Sequence, residues 1–288
     1  MTAPGASVAA LLESASRRLA DAGIDSAELD AELLLRHVLD WDRARLVSSA
    51  LESVPGDAEA RFEALVAERA KRRPLQHLTG KQAFWRHEFL VTPAVLIPRP
   101  ETELLVEEAL RRLRRKARPV VVDVGTGSGC IALSLAAELS DAEVHAIDIS
   151  PAALAVARDN ARGLELTERV SFHEGDLLAP VAHEEGRFDL VACNPPYVDP
   201  SDELAPEVRH HDPAVALFPP GDPLSLYRRL APQASRALKD GGWLVLEVGR
   251  GQSDAVSAAL RRAGFTIDRV VPDLQGIPRT VVARHEAR

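Results

Sequence analysis

Val120-Val121-Val122-Asp123-Val124-Gly125-Thr126-Gly127-Ser128-Gly129 is the stretch from which the fold can be read. Its apolar run, Val120–Val124, has the composition of a strand covered on both faces. Three glycines at alternate positions then let the backbone approach a ligand closely and turn sharply into a helix N-terminus. A dinucleotide-binding loop would place glycine at position 130, where Cys130 stands instead. An acid, Asp123, lies two residues before the first glycine.

Outward from that loop, strand and helix signals alternate. Strands are expected at Val120–Val124, Val144–Ile147, Val170–His173, Leu190–Cys193, Trp243–Val248 and Phe265–Val271, with Thr280–Ala283 as a final edge strand. Helices are expected at Ile131–Leu139, Pro151–Gly163, Leu224–Leu238 and Gln252–Ala263. The alternation predicts an α/β fold: a doubly wound, mostly parallel sheet of seven strands with helices on both faces. Ligands of such sheets bind just past the carboxyl ends of the strands. Asp148 closes the second strand, where a carboxylate can accept from two ribose hydroxyls, and Ile149 follows it. Asp176-Leu177 comes after the third strand, at the same ligand-facing edge.

After the fourth strand come Asn194-Pro195-Pro196-Tyr197. The two prolines forbid further ladder pairing, so the strand must end there. The side-chain oxygen of Asn194 and the carbonyl of Pro195 can each accept one N–H of a planar amino group, and Tyr197 can pack on its face. Holding both hydrogens draws electron density onto the nitrogen and aims its lone pair at an electrophile. The plainer alternative is a proline-rich strand exit with a half-buried tyrosine.

The first seventy or so residues carry helical periodicity only. Val8, Leu11, Leu12, Ala15 and Leu19 mark one helix, and Ile24 to Val38 a second, capped by Asp25 or Ser26. Leu46, Val47 and Leu51 suggest a third, and Phe62, Leu65 and Val66 a fourth that ends in Lys71-Arg72-Arg73. Residues 1–73 are therefore expected to form a helical domain suited to docking a partner or substrate. Residues 74–98 read as a β-hairpin linker with turns at Gly80-Lys81 and Thr92-Pro93, and 99–288 as the sheet domain. Arg99-Pro100-Glu101-Thr102-Glu103 opens a helix whose tail, Arg111 to Arg118, has the look of a solvated basic face.

The chain has 288 residues, a net charge of −8 and two cysteines, Cys130 and Cys193. That balance speaks against broad phosphate-driven binding, so no direct nucleic-acid contact is expected. Two cysteines inside apolar runs make neither a disulfide scaffold nor a zinc cluster. No leader or membrane-spanning run is evident, and a cytoplasmic location is expected. The adjacent His210 and His211 do not share a helix face and lack a third ligand at suitable spacing, so no metal is expected.

The loop Gly125 to Gly129 behind Asp123 is similar to the cofactor loop of class I methyltransferases, in which it faces the amino-acid end and ribose of S-adenosylmethionine. The Asn194–Tyr197 signature resembles that of methyltransferases acting on adenine N6, guanine N2 or glutamine N5. Pro74-Leu75-Gln76-His77-Leu78-Thr79-Gly80 and Val95-Leu96-Ile97-Pro98-Arg99-Pro100-Glu101-Thr102-Glu103 narrow it further. They resemble the linker and helix entry of the HemK/PrmC-type release-factor glutamine methyltransferases, a likeness that extends through Asp273–Arg279. The resemblance implies methylation of the glutamine side-chain N5 in the Gly-Gly-Gln motif of peptide chain release factors. It implies a cofactor site of Gly125, Thr126, Gly127, Ser128, Gly129, Asp148, Ile149, Asp176, Leu177 and Asn194, and a catalytic corner of Asn194, Pro195, Pro196 and Tyr197. It also implies that the helical domain helps dock the release factor and that Arg99–Glu103 lies near the reaction centre.

There are departures. Leu177 replaces an aromatic that some relatives carry, Phe218–Asp222 replaces a more glycine-rich loop, and His210-His211-Asp212 replaces an aromatic-acid pair. One rival is an amino N-methyltransferase acting on DNA or RNA, which should show a cationic face and a flipped-base pocket. Another is a cofactor-binding regulatory protein that has lost its transferase activity.

Overall fold

A computed structural model of the chain describes residues 5–286. By contact, the chain falls into two compact units. The first runs through Gly80 and also takes Leu204–His211; the second holds Lys81–Glu203 and the chain from Asp212 onward.

The first unit begins with helices α1 (Val8–Asp21), α2 (Ala27–Leu39), α3 (Arg43–Ser48), α4 (Gly56–Ala70) and the single-turn α5 (Leu75–Thr79). Leu11, Ala15 and Leu19 pack with Leu34, Leu35, Phe62 and Val66 in one core. Helix α3 is shorter and shallower than its apolar residues predict. Leu46 is buried, but Val47 is 68% and Leu51 90% exposed. Helix α5 occupies part of the expected hairpin linker; Pro74 starts it and Gly80, at φ +75°, stops it.

The second unit opens with the hairpin β1 (Lys81–Phe84) and β2 (His87–Leu90). Its reversal falls at Trp85-Arg86, with Trp85 at φ +56°, not at Thr92-Pro93. Val95–Ile97 is not a strand, because Pro98 and Pro100 remove the donors a ladder would need. Val91 and Val95 are held instead by packing on Ala153 and Val156.

A 3₁₀ turn at Pro100–Thr102 leads into α6 (Glu103–Leu113). The alternation then runs β3 (Val120–Val124), α7 (Cys130–Glu138), β4 (Glu143–Asp148), α8 (Pro151–Gly163), β5 (Val170–Glu174) and β6 (Phe188–Cys193). Next come α9 (Pro206–His211), α10 (Ala214–Leu217), α11 (Ser225–Ala237), β7 (Leu238–Glu247), α12 (Ser253–Arg262), β8 (Phe265–Pro272) and β9 (Pro278–His285). The sheet has seven strands in the order β5-β4-β3-β6-β7-β9-β8, and β9 alone runs against the others, pairing antiparallel with both β7 and β8. The order reverses between β3 and β6, which makes that junction the crevice for a ligand.

The last strand is not at the edge. Only residues 273–277 separate β8 from β9, too few for a crossover, so the two pair as a hairpin. Asp273 braces that turn by accepting from the backbone N–H groups of Gln275 and Ile277, each at 2.9 Å. Val281, Val282 and Ala283 are fully buried, as an interior strand requires, and β8 with its exposed residues forms the rim. The basic tail of α6 is not wholly solvated either. Arg112 lies over the Trp243 ring at 4.8 Å, and Lys116 pairs at 2.5 Å with the buried Asp189.

Helix α9 belongs to the first unit through charge. Arg69, buried in the last turn of α4, donates to Asp30 of α2 at 2.6 Å and to Glu207 of α9 at 3.1 Å. His210 and His211 form the last turn of this helix. Among the described residues, no helix is long and apolar enough to cross a membrane.

Candidate functional site

The carboxyl ends of β3, β4 and β6, with the turn after β5, open on one cavity of about 540 Å³. That volume lies within the ~300–1,000 Å³ range of small-molecule sites. Gly125, Thr126, Gly127, Ser128, Asp148, Ile149, Asp176, Leu177, Asn194, Pro195 and Pro196 all line it. Arg99 and Thr102, from the segment before α6, also face it.

The loop after β3 is held on both sides. Asp148 Oδ2 accepts from the Gly127 N–H at 2.8 Å, and its Oδ1 accepts from the Ser150 N–H at 2.9 Å. Each carboxylate oxygen keeps a lone pair, so Asp148 can still receive a pair of hydroxyls. Burial pushes its carboxyl above the ordinary value, against those backbone hydrogen bonds. A Cβ on Gly127 would meet no protein atom within 4 Å, so the loop leaves that space open. Gly129 has a different task. It does not line the cavity; a Cβ there would lie 2.9 Å from Leu133 Cδ1, and its φ of +83° turns the chain into α7.

Two polar side chains anchor this loop from behind. Asp123, fully buried, accepts from the Thr126 hydroxyl at 2.6 Å and from the Ala132 N–H at 3.2 Å. Burial pushes its carboxyl up to about 7, opposed by those two hydrogen bonds. Asn160, on α8, donates to the Ser128 carbonyl at 2.8 Å and the Leu90 carbonyl at 3.0 Å, and accepts from the Leu90 N–H at 2.6 Å. It thus ties hairpin strand β2 to the glycine loop. Nothing in the local sequence marks Asn160, because its partners lie 32 and 70 residues away.

On the wall beyond β4, Ile149 is 56% exposed, an uncovered apolar side chain facing the cavity. Leu177 is held at φ +52°, a costly backbone for a leucine of the kind that gathers at ligand sites. Asp176 is ion-paired with Arg229 of α11, and both line the cavity. That pair has no sequence signal. Phe218, Pro219 and Pro220 of the departing loop also reach the wall. A polar floor, an open glycine cradle and apolar flanks fit a nucleoside that carries a charged amino-acid tail.

At the exit of β6, Asn194 Nδ2 donates to the Thr102 hydroxyl at 3.2 Å. That hydroxyl donates to Glu247 Oε2 at 2.6 Å, and the Tyr197 hydroxyl donates to Glu247 Oε1 at 3.0 Å. Tyr197 does not line the cavity; its ring packs on the core beneath the sheet ends and its carbonyl accepts from Gln252 at 2.9 Å. Burial, then the neighbouring Glu247, holds its phenol far above the usual range. Glu247 closes β7 and is 1% exposed. Sequence reasoning did not single it out, although a charged residue ending an apolar strand at the carboxyl edge is the available clue.

Other polar groups of this region are held by partners of their own. Arg99 donates to Asp212 at 2.6 Å, and burial of Asp212 pushes its carboxyl up to about 6 against that guanidinium. Glu207 is bound to Arg69 and Arg72. Burial pushes the Cys130 thiol up to about 12 and the Cys193 thiol well above its ordinary value, so both stay protonated and inert as nucleophiles.

Residues 10–80 match the model of the PrmC N-terminal domain, and residues 100–211 that of the methyltransferase small domain. The chain is 44% identical over 275 residues to a release factor glutamine methyltransferase of Koribacter versatilis, covering 94% of this chain and 96% of the relative. It is 46% identical over 277 residues to one of Cereibacter sphaeroides, covering 95% and 96%. Among solved structures, the hMettl16 catalytic domain in complex with an RNA hairpin is similar in fold, with a TM-score of 0.56 and 16% identity over 80% of this chain and 82% of that one.

Proposed function

The chain belongs to the release factor glutamine methyltransferase family, and we propose that it methylates the side-chain N5 of the glutamine in the Gly-Gly-Gln motif of peptide chain release factors. One observation carries the reading: the glycine loop, Asp148 and Asn194-Pro195 come from neighbouring strands and face a single cavity. When bound, S-adenosylmethionine supplies a methyl group already activated on a sulfonium. What the chain must do is position and polarise the acceptor.

In this reading Asp148 holds the ribose, Gly125 to Gly129 shape the pocket for the amino-acid end, and Ile149, Asp176 and Leu177 receive the adenine. Asn194 Oδ1 and the Pro195 carbonyl accept the two hydrogens of the glutamine amide, while Pro196 and Tyr197 keep that corner rigid. Both hydrogen bonds strengthen as the nitrogen turns positive, so they favour the transition state over the ground state. The methylated nitrogen is then acidic enough to lose its proton to water without a strong base. Residues 1–73 would dock the release factor, 74–98 connect, and 99–288 carry the transfer; the helical core, which holds none of the cavity residues, supports separating docking from transfer, while Ala94, Val95, Leu96 and Pro98 of the connecting stretch add to the cavity wall.

The test uses labelled S-adenosylmethionine with purified release factors, intact or with the motif glutamine replaced. Label on the intact factor alone is the expected result. Equal label on both, or none on either, overturns the reading.

A further inference from the structure

A side-chain amide can be turned either way, and only one way serves this reaction. The substrate nitrogen brings two N–H donors, so Asn194 must meet it with oxygen; its own NH2 there would set donor against donor. The side chain cannot choose by shape, since its two ends are nearly the same size. Something must fix the polarity.

The chain of hydrogen bonds behind it does so. A carboxylate only accepts, and a hydroxyl has one proton to give. The Thr102 hydroxyl spends that proton on Glu247 Oε2 at 2.6 Å, so toward Asn194 it can only accept. Asn194 therefore presents Nδ2 to Thr102, at 3.2 Å, and its oxygen end faces the other way. The second carboxylate oxygen is occupied by the Tyr197 hydroxyl at 3.0 Å, which keeps Glu247 from swinging off Thr102.

We propose that Thr102 and Glu247 are positioning residues, and that the Glu247 carboxylate, acting through the Thr102 hydroxyl, sets which end of the Asn194 amide meets the substrate. The inference rests on the proposed transfer to a glutamine amide, and it adds a polarity switch to that site. Were Glu247 neutral, its own proton could pass to Thr102; the hydroxyl would then be free to donate to Asn194 and admit the wrong orientation.

The groups facing Glu247 make that ionisation sensitive. Tyr197 donates to it, and the Tyr227 hydroxyl donates to its backbone carbonyl at 2.9 Å. Cys130 and Cys193 feel its charge, Arg279 favours its ionised form and Glu101 opposes it. Burial is the largest influence and raises the carboxyl above the ordinary 4.5, with the Thr102 and Tyr197 hydrogen bonds opposing. The ionised, orienting form is thus lost on acidification at a higher pH than for an exposed glutamate.

The test uses the full chain with S-adenosylmethionine and a purified release factor, following kcat and KM from about pH 5 to 8. Thr102→Val should lower kcat about 10–100-fold, the cost of one buried hydrogen bond, while KM and cofactor affinity shift less than about threefold. Thr102→Ser, which restores the hydroxyl, should recover most of that loss. Glu247→Gln should lower kcat at neutral pH and abolish the acid limb of the wild-type profile. Full kcat in Thr102→Val, or an unaltered acid limb in Glu247→Gln, overturns the inference.

A second readout needs no substrate. The side-chain amide NMR resonance of Asn194, identified by its loss in Asn194→Ala, should move with pH in the wild type and hold still in Glu247→Gln. If the wild type labels no release factor, the proposed function fails and this resonance alone decides the inference: a shift that persists in Glu247→Gln refutes it.

Discussion

Replacing Asn194 with alanine removes one acceptor from the cavity and leaves the proline-braced strand exit in place. Turnover should fall about 10²–10³-fold, the loss seen when a single preorganised hydrogen-bonding group is deleted from an active site, while equilibrium dialysis finds cofactor affinity little changed. Near-normal turnover would remove Asn194 from the chemistry. Asp123 makes a different kind of prediction. Its carboxyl is raised from 3.8 to about 7 by burial, so between those values the folded chain holds a proton that the unfolded chain has released. Stability attributable to this group is complete below about pH 4 and is lost as pH rises through about 7. The urea midpoint should therefore decline across that window, and Asp123→Asn should flatten the decline, by an amount on the order of a few kcal/mol. A variant with the wild-type slope would show that Asp123 is ionised throughout.

At the scale of elements, the link that sets the site is Asn160, which joins α8 to both β2 and the loop after β3. Asn160→Ala strands the Ser128 carbonyl and both Leu90 backbone groups; a loss of about 2–4 kcal/mol in denaturant stability and a weaker cofactor complex are expected. Unchanged cofactor affinity would mean that the loop keeps its shape unaided. This scale also marks the limit of what the sequence discloses. Strands β3 and β6 were legible because burial on both faces writes a continuous apolar run, and the strand-end acids and Asn194 followed from the α/β rule. The interior position of β9 was not legible, since strand order depends on how short the turn at residues 273–277 is rather than on any residue in β9. Asn160 and Glu247 were hidden for a related reason: their partners are distant in sequence, and neither belongs to a local motif. Val95–Ile97 misled because β-branched residues favour a strand, while the prolines that follow deny it a ladder.

For the molecule as a whole, a net charge of −8 sets the expected salt response. Turnover on a release factor should change less than about tenfold between 50 and 200 mM salt, in contrast to the ~10³–10⁵-fold loss of a protein held by many phosphate contacts. A steep decline would point to a nucleic-acid substrate. The path of the backbone carries a further consequence, for anyone wishing to divide the protein. It leaves the second unit after Glu203, lends α9 to the first, and returns at Asp212. Scission at residues 80/81 would consequently yield two damaged pieces. A fragment starting at Lys81 keeps α9 without Arg69 and Arg72, orphaning Glu207; the other keeps the buried Arg69 guanidinium with Asp30 as its remaining carboxylate. Clean separation calls for splicing Glu203 to Asp212 and grafting 204–211 onto the helical piece.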